Sequence, residues 1–169
     1  MADLARTLAR YRVRLGFAAA VAALWFAHPT ERSLALGAAV AIAGELLRIW
    51  AAGHLEKGKE VTMSGPYRWT RHPLYVGSAL MGIGLVLASN SLPTTAIVIA
   101  YLALTIGAAI RSEETHLTEK FGSAYPDYRD GRVAQISRRF SIERAMRNRE
   151  YRAVVGLAAV LALLAWKCC

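Results

Sequence analysis

Residues 73–110 form 38 consecutive positions without one Asp, Glu, Lys or Arg. A helix needs about 20 apolar residues to cross the hydrocarbon core of a bilayer, so this run is long enough for two crossings. Ser89, Asn90, Ser91, Leu92 and Pro93 interrupt it near the middle, and a short polar stretch ending in proline is a turn signal. The run therefore reads as a tight helical hairpin inside a membrane, and it excludes an ordinary soluble core.

Five apolar segments read as membrane helices: 15–27, 34–52, 74–88, 94–110 and 153–166. Several are short, and snorkelling arginines together with Tyr11, Tyr151 and Trp166 extend their ends to the interface. The expected fold is all-α, an integral membrane protein of about five transmembrane helices in one domain, 1–169. The basic residues lie in blocks between the segments. Of 21 Lys and Arg, 18 fall in 1–14, 53–73 and 111–152, including Arg6, Arg10, Arg12 and Arg14 in the first block. The Lys/Arg bias sets orientation, which puts the N-terminus and the long loops in the cytoplasm and the C-terminus outside. The net charge of +9 follows from this topology and from attraction to anionic lipid. A nucleic-acid partner would need a basic fold with base-stacking aromatics, and the sequence carries no such module. The two cysteines, Cys168 and Cys169, imply no disulfide framework and do not match the four-residue prenylation box.

The loop before the third segment holds the first group of chemical interest. Ser64-Gly65-Pro66-Tyr67 is a turn signal. Arg71-His72-Pro73-Leu74-Tyr75 then opens a helix, with Pro73 where it costs no hydrogen bond. His72 thus lies at a helix N-terminus at the membrane boundary, where free backbone donors and the helix dipole favour an anion. Alternatively His72 only caps the helix and Arg71 binds lipid phosphate. The fourth helix is expected to run out of the membrane to about Lys120 and stop near Gly122. Glu113 and Glu114 emerge just beyond its apolar part. They are either a solvated charged turn or partners of the loop on the same membrane face. In the second case loop and stem together suit a zwitterionic amino-acid-like group: its carboxylate by His72 and backbone donors, its ammonium by Glu113.

Three further features stand apart. Glu45 and Arg48, three residues apart, share a helix face and read either as an ion pair closing helix two against the cytoplasmic loop or as a functional membrane charge. His28 reads as a turn residue and His54 as an interfacial one. The Arg-rich region 134–152 reads as a C-terminal amphipathic segment on the membrane surface, with Phe140, Ile142 and Met146 on one apolar face.

The stretches Gly-Pro-Tyr-Arg-x-x-Arg-His-Pro-x-Tyr-x-Gly (65–77) and Glu-Glu-x-x-Leu-x-x-x-Phe-Gly-x-x-Tyr-x-x-Tyr (113–128) resemble the isoprenylcysteine carboxyl methyltransferase family of integral membrane enzymes. The resemblance covers roughly 50–133. Phospholipid N-methyltransferases and the C-terminal part of membrane sterol reductases are similar over the same region, so the pattern constrains fold more than substrate. The resemblance implies S-adenosylmethionine as cofactor. It implies a cytoplasmic cofactor-binding loop in which Lys59, Glu60, Val61 and Thr62 contribute backbone, Tyr67 contacts the cofactor, His72, Pro73, Leu74 and Tyr75 surround its methionine end, and Glu113 binds its amino group. Two positions depart from the family pattern. Lys59 stands where a histidine is frequent. Ala109 stands where an arginine is assigned to substrate, with Arg111 nearby but on another helical face.

The expected activity is methyl transfer to a lipophilic small molecule or prenylated acceptor that enters from membrane lipid. An isoprenylcysteine-like carboxylate would need no general base; for an amine or hydroxyl, Glu114 or His116 is placed to take a proton. Tyr67, Trp69 and Tyr75 either pack on the cofactor or, for Trp69 above all, belong to an interfacial belt. Alternatives are a phospholipid or amine N-methyltransferase, an NADPH-dependent membrane reductase, and a non-catalytic membrane subunit. No Gly-x-Gly-x-x-Gly follows a strand, which speaks against a soluble-type methyltransferase domain. The Cys and His spacings give no zinc site.

Overall fold

The computed structural model describes residues 16–122, 124–130, 132 and 137–168. Arg6, Arg10, Tyr11, Arg12, Arg14 and Cys169 lie outside the described residues, as do the start of the first apolar segment, Val133 and 134–136. Among the described residues the chain is helical without strands. The helices are α1 (Gly16–Trp25), α2 (Glu31–Ala52), α3 (Pro73–Ser89), α4 (Leu92–Phe121), α5 (Ala124–Arg129), α6 (Ile142–Arg147) and α7 (Tyr151–Cys168). A 3-10 turn covers Gly65–Arg68. Three of them, α2, α4 and α7, are long and apolar enough to cross a membrane; α1 and α3 are apolar but shorter.

The uncharged hairpin is α3 and α4. Asn90 ends α3 in the left-handed conformation, and Ser91 caps α4 by accepting from the Thr94 amide. Thr30 and Ser33 form a reciprocal capping box at the start of α2, and the Ser33 hydroxyl also donates to the Ala88 carbonyl at 3.2 Å. The His28 amide donates to the Ser89 carbonyl at 2.8 Å, so His28 is a turn residue as expected. These bonds gather the α1 C-terminus and the α2, α3 and α4 turns at one end of the bundle. The C-terminus of α7 joins them there, because Lys167 donates to the carbonyls of Leu24 and Trp25. The charged loop and α5 and α6 lie at the opposite end.

Small residues let α2 and α3 approach closely, the usual device where lipid removes the hydrophobic drive for helix association. A Cβ on Gly84 would stand 2.6 Å from the Gly37 carbonyl oxygen and against the Ala41 backbone nitrogen. α4 has 30 residues, about 45 Å at 1.5 Å per residue, against a hydrocarbon core of about 30 Å. Its last three turns therefore project beyond the membrane as a stem, and it stops at Gly122 (φ +55), where the sequence places the end.

Arg48 pairs with Glu45 at 3.6 Å, as the i, i+3 spacing predicts. Its principal partners differ from expectation. It binds Glu150 at 2.7 Å, the Ser78 hydroxyl and the Leu74 carbonyl at 3.4 Å, so it ties α2 to α3 and to the start of α7 rather than to the loop. His54 is buried at 4 % exposure beneath the Gly65 turn, with Nδ1 2.9 Å from the Trp50 carbonyl.

Among the described residues, the region read as an amphipathic segment is helical over α6 and at its end, where Tyr151 and Arg152 open α7. Phe140, Ile142 and Met146 are all exposed, as an apolar face requires, and the Phe140 ring also lies against His54, with centroids 6.1 Å apart. Its polar side caps α2: Arg144 donates to the Gly53 carbonyl at 2.9 Å, and Asn148 donates to those of Ala52 and Leu55 at 2.9 Å. These are carbonyls that a helix end leaves unsatisfied. Glu56 beside them meets Arg144 at 3.5 Å, Arg147 at 3.3 Å and Lys59 at 3.7 Å. Burial would raise its pKa; Arg147, Lys59, Arg138 and the Arg144 bond outweigh that and hold it below the usual range.

Candidate functional site

The loop 53–72 folds back onto the α4 stem. Val61, Met63 and Tyr125 form a small buried core with Leu117, Phe121 and Tyr128 packed around it. The Tyr128 hydroxyl donates to the Tyr67 carbonyl at 2.6 Å, which fixes the 3-10 turn to α5. Gly65 in that turn has φ +60, and a Cβ there would lie 2.6 Å from the His54 ring. Both the left-handed backbone and the close approach require glycine.

The two elements meet through His72 and Glu114. His72 occupies the N-cap position of α3 but makes no capping bond; its Nε2 lies 3.1 Å from Glu114 Oε1. Arg71 reaches the same oxygen at 3.5 Å, and the Tyr125 hydroxyl donates to it at 3.3 Å. The hydrogen bond from His72 is the chief reason the Glu114 pKa falls below the ordinary carboxylate range. Burial raises the Tyr125 phenol to about 12, and the Glu114 charge adds to the effect. The reading in which His72 merely caps the helix and Arg71 faces lipid phosphate does not describe this arrangement.

Glu113 is half-buried. Burial pushes the Tyr67 phenol far above its usual range, and the Glu113 charge pushes it further, so this carboxylate lies within electrostatic reach of Tyr67. Among the described residues it takes part in no hydrogen bond or ion pair through its side chain. Loop and stem therefore share one face of the membrane and bring His72, Tyr67 and the two glutamates together.

The other expected cofactor residues divide by what remains available on them. Val61 and Thr62 are buried, and the Thr62 hydroxyl accepts from the Glu56 amide at 3.2 Å. Only backbone is left for a ligand there, and among the described residues 60–63 make no backbone hydrogen bond. Lys59 turns outward to Glu56, with 73 % of its side chain exposed. Glu60 binds Arg138 at 2.7 Å. Pro73 is buried at the first position of α3, the Leu74 carbonyl is used by Arg48, and the Tyr75 ring tilts against His72 at 5.8 Å. Arg111 is exposed on the stem, and among the described residues no hydrogen bond or ion pair joins its side chain to the group. His116 is exposed as well. Trp69 is 78 % exposed and packs edge-on against Trp50 at 5.3 Å, as an interfacial anchor does. Sequence reasoning missed Glu114 as the partner of His72, and Arg138 and Tyr125 as supports. Adjacent carboxylates on a helix differ by only 100° of rotation, and spacing alone does not choose between them. Among the described residues no group of three or more His, Cys, Asp or Glu is placed to hold a metal ion.

The family model described as phospholipid methyltransferase matches residues 32–124, which hold α2, α3, α4, the loop and both glutamates. This chain belongs to the phospholipid methyltransferase family, a family of membrane methyltransferases. It is 38% identical over 95 residues to the cobalt-zinc-cadmium resistance protein CzcN of Cupriavidus metallidurans, over 55% of this chain and 41% of that protein. It is 36% identical over 95 residues to the nickel-cobalt-cadmium resistance protein NccN of Alcaligenes xylosoxydans xylosoxydans, over 55% of this chain and 43% of that protein. The match thus spans less than half the length of these curated relatives. No solved structure matches the chain.

Proposed function

We propose that the chain binds S-adenosylmethionine between the loop 59–75 and the α4 stem and uses it to methylate a lipophilic acceptor drawn from the bilayer, with the site on the cytoplasmic face. The observation that carries this reading is Glu113, a half-buried carboxylate beside Tyr67 with no ion-pair partner among the described residues. A carboxylate so placed is a receptor for an ammonium group. The donor set fits the rest of a zwitterionic, nucleoside-bearing ligand. The α3 N-terminus and Arg71 would meet its carboxylate, and the backbone of 60–63, which makes no backbone hydrogen bond among the described residues, is left for the nucleoside.

S-adenosylmethionine supplies a methyl group already activated on sulfonium, so the chemistry of bond breaking belongs to it. The protein's part is placement. Glu114 holds the His72 ring by its Nε2, and Tyr128 fixes the Tyr67 backbone. The buried cluster of Val61, Met63 and Tyr125 keeps water from the rear of the loop.

A phospholipid or other amine acceptor is favoured over a carboxylate. The position family members fill with a substrate arginine is Ala109, so α4 lacks that cation for an acceptor carboxylate. An amine sheds a proton on methylation, and the His72–Glu114 pair at the junction of loop and stem is the group we assign to accept it.

Titration calorimetry of the full chain in lipid nanodiscs tests the cofactor. Binding of S-adenosylmethionine without NADPH binding supports the proposal. NADPH binding alone would replace it with the reductase, and binding of neither with the non-catalytic subunit. A radiolabelled methyl-transfer assay on total membrane lipids then identifies the acceptor.

A further inference from the structure

The segment 137–150, which leads into α7, is tied to the charged loop at several points. The Ser141 amide donates to the Gly53 carbonyl at 3.1 Å, the same oxygen that Arg144 takes. Glu56 receives Arg144 and Arg147. Arg138 meets Glu60 at 2.7 Å as an ion pair rather than an aligned hydrogen bond, and Glu60 opens the stretch 60–63. The segment is therefore a strap on the loop 53–60.

The exposed surface of the strap has a chemistry of its own. Phe140, Ile142 and Met146 are exposed, and Ile142 and Met146, four residues apart, share one face of α6. Arg139, Arg149 and Arg152 are exposed as well. Among the described residues none of their side chains takes part in a hydrogen bond or ion pair. Glu143 is the one exposed carboxylate between 137 and 152, so the surface keeps a positive excess.

Its depth is fixed by its neighbours. α6 caps the end of α2, and the chain passes from α6 into α7 through Arg149, whose φ of +63 is left-handed. The amides of Arg149 and Glu150 close that turn on the carbonyls of Met146 and Ala145 at 2.9 and 3.1 Å. Both α2 and α7 are long and apolar enough to cross a membrane, and Val154 and Val155 near the start of α7 are exposed. The strap thus lies at the water boundary of the bilayer, at a set angle to a spanning helix.

We infer that this surface docks on anionic phospholipid headgroups and that the docked strap holds the loop 53–60 in place. Phe140, Ile142 and Met146 enter the acyl boundary, and Arg139, Arg149 and Arg152 meet phosphate. Apolar area and cationic charge together bind such a segment to an anionic membrane, and a guanidinium matches phosphate oxygens in pairs. The inference goes beyond methyl transfer and does not depend on it.

The test compares the full chain in nanodiscs of phosphatidylcholine alone and of phosphatidylcholine with one phosphatidylglycerol in three lipids. Amide hydrogen exchange is read at Ser141 and Glu150 in the strap and at Glu56 and Lys59 in the loop, all hydrogen-bonded amides. The anionic discs should slow all four by about tenfold, because opening then also breaks the docked contacts. High salt should reverse the slowing. Inorganic phosphate added to phosphatidylcholine discs should not reproduce it, since a free ion holds nothing to the bilayer; slowing by phosphate would overturn the lipid assignment. Arg139→Gln, Arg149→Asn and Arg152→Gln together should abolish the difference between discs, asparagine being tolerant of the left-handed backbone at 149. Ile142→Ser with Met146→Ser should reduce it. Glu56→Gln with Glu60→Gln cuts the ion pairs between strap and loop, so lipid should then slow the strap amides but not the loop amides. Equal exchange in the two discs, or slowing that survives the three arginine substitutions, would overturn the docking. Slowing of the strap without the loop in the unsubstituted chain would overturn its hold on the loop.

Discussion

His72 Nε2 stands 3.1 Å from Glu114 Oε1, and this contact joins the start of α3 to the stem of α4 outside the membrane. The uncharged hairpin holds both helices on one axis, so the loop and the stem have only to meet at one end. Glu114 takes the structural partners, His72, Arg71 and Tyr125. Its neighbour Glu113 is left without one among the described residues.

That division of labour separates two conservative substitutions. Glu113→Gln should cut S-adenosylmethionine affinity by about ten- to a hundredfold, the loss of a charge-assisted hydrogen bond of about 1.5–3 kcal/mol, with melting temperature unchanged. Glu114→Gln should lower the melting temperature by about 2–3 °C, because a partly exposed pair is worth under about 1 kcal/mol. Calorimetry and thermal unfolding of both variants check this. Equal affinity loss in both, with no thermal difference, would contradict it.

The same contacts set the pH response. Glu114 has a folded pKa below its unfolded value, so its contribution is present above the unfolded value and is lost as pH falls below about 4. Tyr125 is raised to about 12, so its contribution is present below about pH 10 and fades as pH climbs toward the folded value. An ultraviolet titration of phenolate absorbance should show a late component near pH 12 that disappears in Tyr125→Phe. Acid unfolding of the unsubstituted chain should begin no higher in pH than that of Glu114→Gln, and the stability difference between the two should vanish as pH falls below about 4.

Much of this arrangement was legible in the sequence. The hairpin, the Gly122 stop, the turn at Gly65 and the meeting of loop and stem all follow from local signals: absence of charge, glycine, proline and helical period. What escaped the sequence depends on long-range partners. The bond from Arg48 to Glu150 spans 102 positions and that from Asn148 to Ala52 spans 96, and nothing in periodicity announces either. His54 read as interfacial because it follows an apolar helix, yet the Gly65 turn covers it. The choice between Glu113 and Glu114 depends on helix rotation, which the side chains of His72 and Tyr125 set.

Helix packing gives a prediction independent of the site. A Cβ on Gly84 meets the backbone of α2 at Gly37 and Ala41, atoms that cannot yield without moving the helix. Gly84→Ala should destabilise by about 1–3 kcal/mol, the range for overpacking. Gly107 on α4 has nothing within 4 Å of such a Cβ, so Gly107→Ala should be neutral or stabilising by up to about 1 kcal/mol. Thermal unfolding of the two variants side by side is the measurement. A similar loss in both would show that backbone conformation, not contact, governs these glycines.

The Arg48 group yields the last prediction. Two carboxylates, Glu45 and Glu150, face one guanidinium, and all three side chains are largely out of water. Removing one partner strands charge in a low-dielectric setting, which costs about 3–5 kcal/mol in buried pairs. Arg48→Met should therefore be the most destabilising substitution at this end of the bundle, and it should loosen α7, which Glu150 precedes. The triple variant Arg48→Met, Glu45→Gln, Glu150→Gln removes the stranded charge and should recover most of that loss. Hydrogen exchange along α7 together with the unfolding midpoint reads both effects. If the triple variant is no more stable than Arg48→Met, the loss came from the Arg48 bonds to Ser78 and Leu74, and the group serves to set the register of α2 against α3 instead of anchoring α7.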